Sequence, residues 1–275
     1  MFRLKNVNLW FSLMVIVIYI LVDMLLFSNG FLVVLILQLF IILLAISPIG
    51  EAIIRYIYGG KRLKTRNARN YLLPIFFSVY ENVLDEKPKT SRRIKLYLDR
   101  SMTPNAYAVG SNTIVVTRGA VETFSPEELQ GIIAHEFGHL YNGDTILLMI
   151  LLGSNIYFLI IFLLVKMVEI IINIVNALLG GFSRYNIAGK IILWLFRGVV
   201  ALLVLITQGI LSINQRNNEY NADEFAEIIG FGENLISALY TLDSIDYSDG
   251  KISFLERLKN SHPDIENRIE NLERY

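Results

Sequence analysis

Four long apolar runs constrain this chain more than any other feature. Leu9–Phe27 is interrupted only by Ser12 and Asp23, and Phe31–Ile46 has Gln38 as its single polar residue. Thr145–Val165 is apolar apart from Ser154 and Asn155, and Ile191–Ile213 carries Arg197 and Gln208. A bilayer core of ~30 Å is crossed by about 20 helical residues, so each run is long enough to span, the second marginally. The first two form a hairpin around Ser28-Asn29-Gly30. A cleaved signal peptide is the alternative for the first run. It lacks a small-residue cleavage site and a second span follows at once, which favours a retained anchor.

Composition agrees. Hydrophobic residues make up 54% of the 275-residue chain, too many for an ordinary soluble protein of this size. The formal net charge is zero, which argues against a nucleic-acid partner. The absence of cysteine excludes disulfides, thiolate metal sites and cysteine nucleophiles. Arg55, Lys61, Arg62, Lys64, Arg66 and Arg69 follow the second run, whereas the hairpin tip has no basic residue. The positive-inside rule then places the N-terminus and everything after the second span in the cytoplasm.

Within that cytoplasmic part lies Ala134-His135-Glu136-Phe137-Gly138-His139. Residues i and i+4 share one face of a helix, so His135 and His139 can hold one metal ion. Glu136 is rotated by roughly 100° from His135 and can stand beside the metal as a proton acceptor for an attacking water. That pattern suits a zinc hydrolase; two surface histidines on a solvated helix is the bland reading. The uncharged flanks argue for the former, as does the scarcity of histidine, since the chain has only 3 and two fall here.

A third ligand is sought downstream. The metzincin position six residues after His139 is Thr145, which excludes that class. Glu122, Glu127, Glu128 and Asp144 are too near the motif or on unsuitable faces, and Asp144 reads as an interfacial residue. His262 is remote. Glu219 follows the fourth run by six residues, as Thr145 follows His139 by six, so both ligand candidates emerge from the bilayer at a similar height. Glu219 completes a His₂Glu shell that is open for catalysis. Asp223 shares its helix face and can accept a hydrogen bond from a ligand imidazole.

Around these residues, Ala68–Leu84 has helical periodicity with Pro74 inside it, marking a start or a kink. Arg93–Leu98 alternates as a strand, and residues 104–117 read as a β-hairpin with a polar turn. Gly119–Phe124 is a short helix or turn. Ser125-Pro126-Glu127-Glu128 is a capping box that opens the motif helix. Lys166–Lys190 is an outer loop, an interfacial helix, or a prolongation of both neighbouring spans. Ala226–Leu242 reads as one amphipathic helix and Lys251–Lys259 as another. A last helix runs to Tyr275, with Ser261 and Asp264 as caps.

Taken together, Asn105-Ala106-Tyr107-Ala108, the His135–His139 motif with Asn142-Gly143-Asp144, Glu219-Tyr220-Asn221-Ala222-Asp223, and Ser261-His262-Pro263 with Arg268 resemble the M48 family of membrane zinc metalloproteases. The family includes HtpX-type and CAAX-prenyl proteases. The resemblance implies one zinc on His135, His139 and Glu219, with Glu136 as base and Asp223 supporting a ligand. It implies that residues 105–108 form an edge strand pairing with substrate backbone, and that His262 and Arg268 help hold the oxyanion. Four apparent spans match HtpX-like members and lower the odds of a prenylated substrate.

The expected fold is therefore mainly α and integral to the membrane: about four transmembrane helices plus a cytoplasmic gluzincin-type α+β domain with a small sheet. Residues 1–47 form a transmembrane hairpin and 48–144 the first cytoplasmic segment. Residues 145–213 form a second transmembrane pair with an outer segment, and 214–275 a cytoplasmic helical segment. The expected activity is endopeptidase cleavage of membrane-associated or misfolded membrane polypeptides, with lipid as the other partner. A scaffold or sensor retaining the fold, a processing protease for one membrane-bound peptide, and a transporter are the alternatives.

Overall fold

The computed structural model describes residues 31–87, 93–178, 185–248 and 265–274, with residues 10, 13, 14, 16–21 and 24 of the first run. His262 and Asp23 lie outside the described residues, as do the Ser28–Gly30 turn, the Lys251–Lys259 helix and the caps Ser261 and Asp264.

Phe31–Ile46 is helix α1, and the chain then bends by 67° into α2, Pro48–Ile57. Ser47 caps α2 by accepting hydrogen bonds from the Ile49 and Gly50 amides at 3.2 and 3.3 Å, with Pro48 pre-set at the first helical position. Helix α3, Arg66–Glu86, contains Pro74 in its interior and is capped by Thr65. Four short strands follow one another across a single sheet: β1 (Lys61–Arg62), β2 (Lys95–Asp99), β3 (Ala106–Val109) and β4 (Thr113–Thr117). Their spatial order is β1-β2-β4-β3, with β2 and β4 parallel and the other pairs antiparallel. Strand β4 is central and buried along its whole length, whereas β3 is an edge. The β3–β4 hairpin turns at Gly110, whose φ of +62° suits glycine.

After α4 (Arg118–Thr123) comes α5, Pro126–Asn142, the helix around which the hydrophobic core of the sheet-bearing part is packed. Its start is the anticipated capping box: the Glu128 amide donates to Ser125 Oγ at 3.1 Å and the Ser125 amide to Glu128 Oε2 at 2.8 Å. Phe76 and Tyr80 of α3 stack on Phe137 at centroid distances of 5.6 and 5.5 Å. Gly143, at φ +78°, ends α5 in the left-handed conformation. Helix α6 then runs from Asp144 to Leu178 and α7 from Tyr185 to Ile228.

At 35 and 44 residues, these helices are roughly 50 and 65 Å long. Their described residues thus prolong both flanking spans into 166–190; residues 179–184 lie outside the described residues. Among the described residues, one helix is long and apolar enough to cross a membrane, at Asp144–Ile161. The bent pair Leu32–Ile46 and Pro48–Ile57 counts as a second if taken as one span.

One expected element is split. Instead of a continuous helix over Ala226–Leu242, α7 stops at Ile228, Gly230 adopts φ +85°, and α8 begins at Gly232 and runs to Ser248. The apolar periodicity carries through the break, but a glycine in the left-handed region redirects the chain. Helix α9, Ile265–Leu272, closes over α7 and α8.

Candidate metal centre

Helices α5 and α7 cross at two small residues. A Cβ added to Gly138 would lie 2.7 Å from Ala222 Cα, so the backbones approach more closely than any larger residue permits. Gly138 stands between the motif's histidines in the chain, and Ala222 between Glu219 and Asp223. The crossing therefore brings His135 and His139 onto Glu219.

The three ligand side chains meet closely. His135 Nε2 and His139 Nε2 are 3.1 Å apart; Glu219 Oε2 is 3.4 Å from the first and Oε1 3.6 Å from the second. Tetrahedral zinc with nitrogen and oxygen ligands at ~2.0–2.2 Å requires ligand–ligand edges of about 3.3–3.5 Å. The residues present fit that ion. Their charge fits it too: Glu136, Glu219 and Asp223 are buried against one buried cation, Arg268, and a divalent ion offsets the excess.

Each imidazole is held from behind. The Nδ1–H of His135 donates to Asp223 Oδ1 at 2.8 Å, and that of His139 to Asp144 Oδ2 at 2.8 Å. Both Nε2 lone pairs are thereby turned toward that meeting point. Arg268 fixes Asp223 in turn, with Nε to Oδ2 at 2.8 Å and Nη2 to Oδ1 at 2.6 Å, while its Nη1 lies 3.5 Å from Glu219 Oε2. The bidentate pair suits a planar guanidinium.

The same contacts govern protonation. Burial opposes an imidazolium at His135, and Arg268 pushes the same way, but hydrogen bonds to Asp223 and Glu219 prevail and raise its pKa to about 9. For His139, burial again opposes the charged form, but the Asp144 hydrogen bond and the nearby Glu219 and Glu136 carboxylates together outweigh it, and the pKa is raised. Asp223 is lowered: burial favours its neutral form, but His135 and Arg268 hold the carboxylate. Without metal, the site keeps protons where a cation would sit, so binding releases them.

The structure thus brings together His135, His139, Glu219, Asp223 and Arg268, with Glu136 buried on the same helix. Residues 106–108 lie on the edge strand β3, which packs against α5, with Asn105 just before it. The Asn105 carbonyl accepts from the Thr117 amide at 2.9 Å. Asp144 is the residue that sequence reasoning misplaced: it belongs to His139. The signal was Gly143, whose left-handed turn points the next side chain back at the motif. Arg268 Nε and Nη2 are both engaged by Asp223.

A buried two-helix His-His-Glu centre beside a small sheet is the arrangement of a metallopeptidase class, and residues 78–275 match the family model for Peptidase family M48. The chain belongs to peptidase family M48. Among its relatives, Protease HtpX of Pseudomonas fluorescens is 32% identical over 190 residues, covering 62% of this chain and 61% of that protein. Protease HtpX of Idiomarina loihiensis is 28% identical over 190 residues, covering 63% of each. The matched part thus spans about three fifths of those relatives' length. The crystal structure of S. mikatae Ste24p matches 99% of this chain and 66% of its own, with a TM-score of 0.54 and 21% identity. That likeness is one of fold.

Proposed function

We propose that the chain is a zinc endopeptidase of the cell membrane, with about four spans and with its N-terminus and site on the cytoplasmic side. It cleaves membrane-associated or misfolded membrane proteins, a quality-control role. One observation carries the reading: three ligand side chains whose nitrogens and carboxylate oxygens approach within 3.1–3.6 Å, close to tetrahedral spacing, with Glu136 next along the same helix. The family, and relatives bearing the name Protease HtpX, support it. The basic cluster after α1 supports the cytoplasmic side.

Zinc held by His135, His139 and Glu219 supplies Lewis acidity toward a carbonyl oxygen and a water. Asp223 and Asp144 orient the two imidazoles. Glu136 takes the proton of the attacking water and delivers it to the leaving amine nitrogen. Residues 105–108 offer an extended peptide the open backbone edge of β3, which sets its register over the site. Arg268, bonded through two nitrogens to Asp223, holds that carboxylate in place, and the resemblance to the family gives His262 and Arg268 a share in holding the oxyanion.

The test compares membranes carrying the native chain with membranes carrying Glu136→Gln. Peptides released only by the native chain, with equal zinc in both, are the expected result. Identical peptide sets would defeat the assignment of Glu136 as base.

A further inference from the structure

We propose that α2 is a strut seated in the lipid headgroup–acyl boundary, and that its inner carboxylate, Glu51, holds the β3 strand at a fixed height above the bilayer. The role of β3 in this proposal rests on the peptidase reading; the seating of α2 does not.

The outer face of α2 is apolar and bare. Ile49, Ile53 and Ile57 recur at four-residue spacing and, with Tyr56, are 62%, 50%, 72% and 76% exposed. This face continues the exposed apolar flank of α1, formed by Leu43, Leu44 and Ile46. Just beyond α2, Lys61, Arg62, Lys64, Arg66 and Arg69 are exposed, a basic strip suited to anionic headgroups. A helix lying across the end of a span, apolar outward and flanked by cations, fits a lipid interface rather than water.

The inner face holds the sheet. Glu51 is buried; its Oε2 accepts from the Ser111 amide at 3.1 Å and its Oε1 from the Thr113 hydroxyl. Both donors belong to the β3–β4 turn and its far end. A side chain at Gly110 would collide with the Glu51 carboxylate, so the turn is shaped around it. At the other end of α2, the Tyr107 hydroxyl of β3 donates to the Tyr58 carbonyl at 2.7 Å. Arg55 lies 4.0 Å over the Tyr97 ring of β2. From the opposite side, the Thr145 hydroxyl in the first turn of α6 donates to the Gly110 carbonyl, one residue after the Asp144 that holds His139. The hairpin turn is gripped between two helices that reach the membrane, next to a metal ligand. Glu51 is therefore a positioning residue for the substrate strand.

The chain has no cysteine, so Ile53→Cys, Ile57→Cys and Arg66→Cys each accept one nitroxide label. In nanodiscs of phosphatidylcholine and phosphatidylglycerol, oxygen should relax the labels at 53 and 57 more than an aqueous nickel chelate does, with the reverse at 66. Dominance of the chelate at 53 and 57 overturns the seating. For the strand, Glu51→Ala should raise KM for casein about tenfold with kcat within about threefold and zinc unchanged, and Glu51→Gln should restore KM. Thr113→Val, a milder change should Glu51→Ala not fold, should raise KM about threefold. An unchanged KM in Thr113→Val, or a loss confined to kcat, overturns the role of Glu51. If the native chain does not cleave casein or release peptides from its membranes, the peptidase reading fails, and with it the role of β3, while the labels still decide where α2 sits.

Discussion

Two helix crossings in this molecule use the same device in different surroundings. At the candidate metal centre, Gly138 of α5 meets Ala222 of α7, with a Cβ on the glycine 2.7 Å from Ala222 Cα. Between the long apolar helices, Gly153 of α6 meets Ala45 of α1, with the corresponding Cβ 2.9 Å from Ala45 Cβ. Around the first crossing the buried polar groups are mostly ionisable: His135, Glu136, Glu219, Asp223 and Arg268, with the neutral Asn142 on the motif helix. Around the second they are neutral: Gln38, whose amide has no partner among the described residues, Ser154, which donates to the Ile150 carbonyl of its own helix at 2.9 Å, and the Tyr19 hydroxyl, which donates to Asn155 at 2.7 Å. Charge is tolerated in the low-dielectric interior only with a partner or a metal to balance it. A neutral hydroxyl–amide pair, here Tyr19 with Asn155, joins two helices without that requirement. The first crossing thus gathers ionisable groups that could hold an ion, and the second gathers none among the described residues.

The sharpest way to break this contrast is to remove a charge from the first crossing. Glu219→Ala should abolish stoichiometric zinc, a loss larger than the ~10–100-fold that follows removal of a ligand's hydrogen-bond partner. Zinc retained at full occupancy, measured by metal analysis of purified protein, would show that another residue completes the shell.

Next in size is the effect of pH on metal-stripped protein. The His135 pKa is raised to about 9 from an ordinary 6.5, so its contribution to stability is complete below pH 6.5 and is lost as pH rises through about 9. The loss is on the order of 3 kcal/mol, and His139, also raised, adds in the same direction. Thermal unfolding of the chelated protein should therefore shift to lower temperature across that window, and zinc should abolish the shift. A flat profile would mean that the metal-free site does not hold its proton.

What the sequence disclosed about these two regions depends on how local each relationship is. The motif helix, its capping box and the β3–β4 hairpin rest on neighbours a few residues apart, and all were legible. Glu219 was legible because the chain's topology returns it to the level of His139. Arg268 on Asp223 spans 45 positions and Glu51 on Ser111 spans 60, and no local pattern encodes either pairing. Gly230 was hidden by an apolar period that continues through it. Gly138 and Ala222 were visible as letters, but close approach becomes legible only when both helices are placed.

The glycines themselves provide the third test. Gly138→Ala pushes a methyl into backbone at Ala222, and Gly153→Ala pushes one against the Ala45 methyl; each should cost about 1–3 kcal/mol. The two should separate by zinc affinity, which falls only for Gly138→Ala, because only that crossing carries ligands. Equal loss of zinc would show the crossings to be mechanically coupled along α6 and α7.

The smallest effect lies at the crossing between the apolar helices. Tyr19 is 1% exposed, and its hydroxyl bond to Asn155 ties the first apolar run to α6 across 136 positions. Tyr19→Phe keeps the buried ring and deletes that donor. Interhelical hydrogen bonds in bilayers contribute about 0.6 kcal/mol on average, because the separated helices find other partners. Stability in nanodiscs should fall by roughly that amount, with zinc content and cleavage unchanged. A drop several times larger, or any loss of zinc, would mean that the neutral crossing is part of what keeps the charged one assembled, and the division between an ionisable and a neutral crossing would not stand.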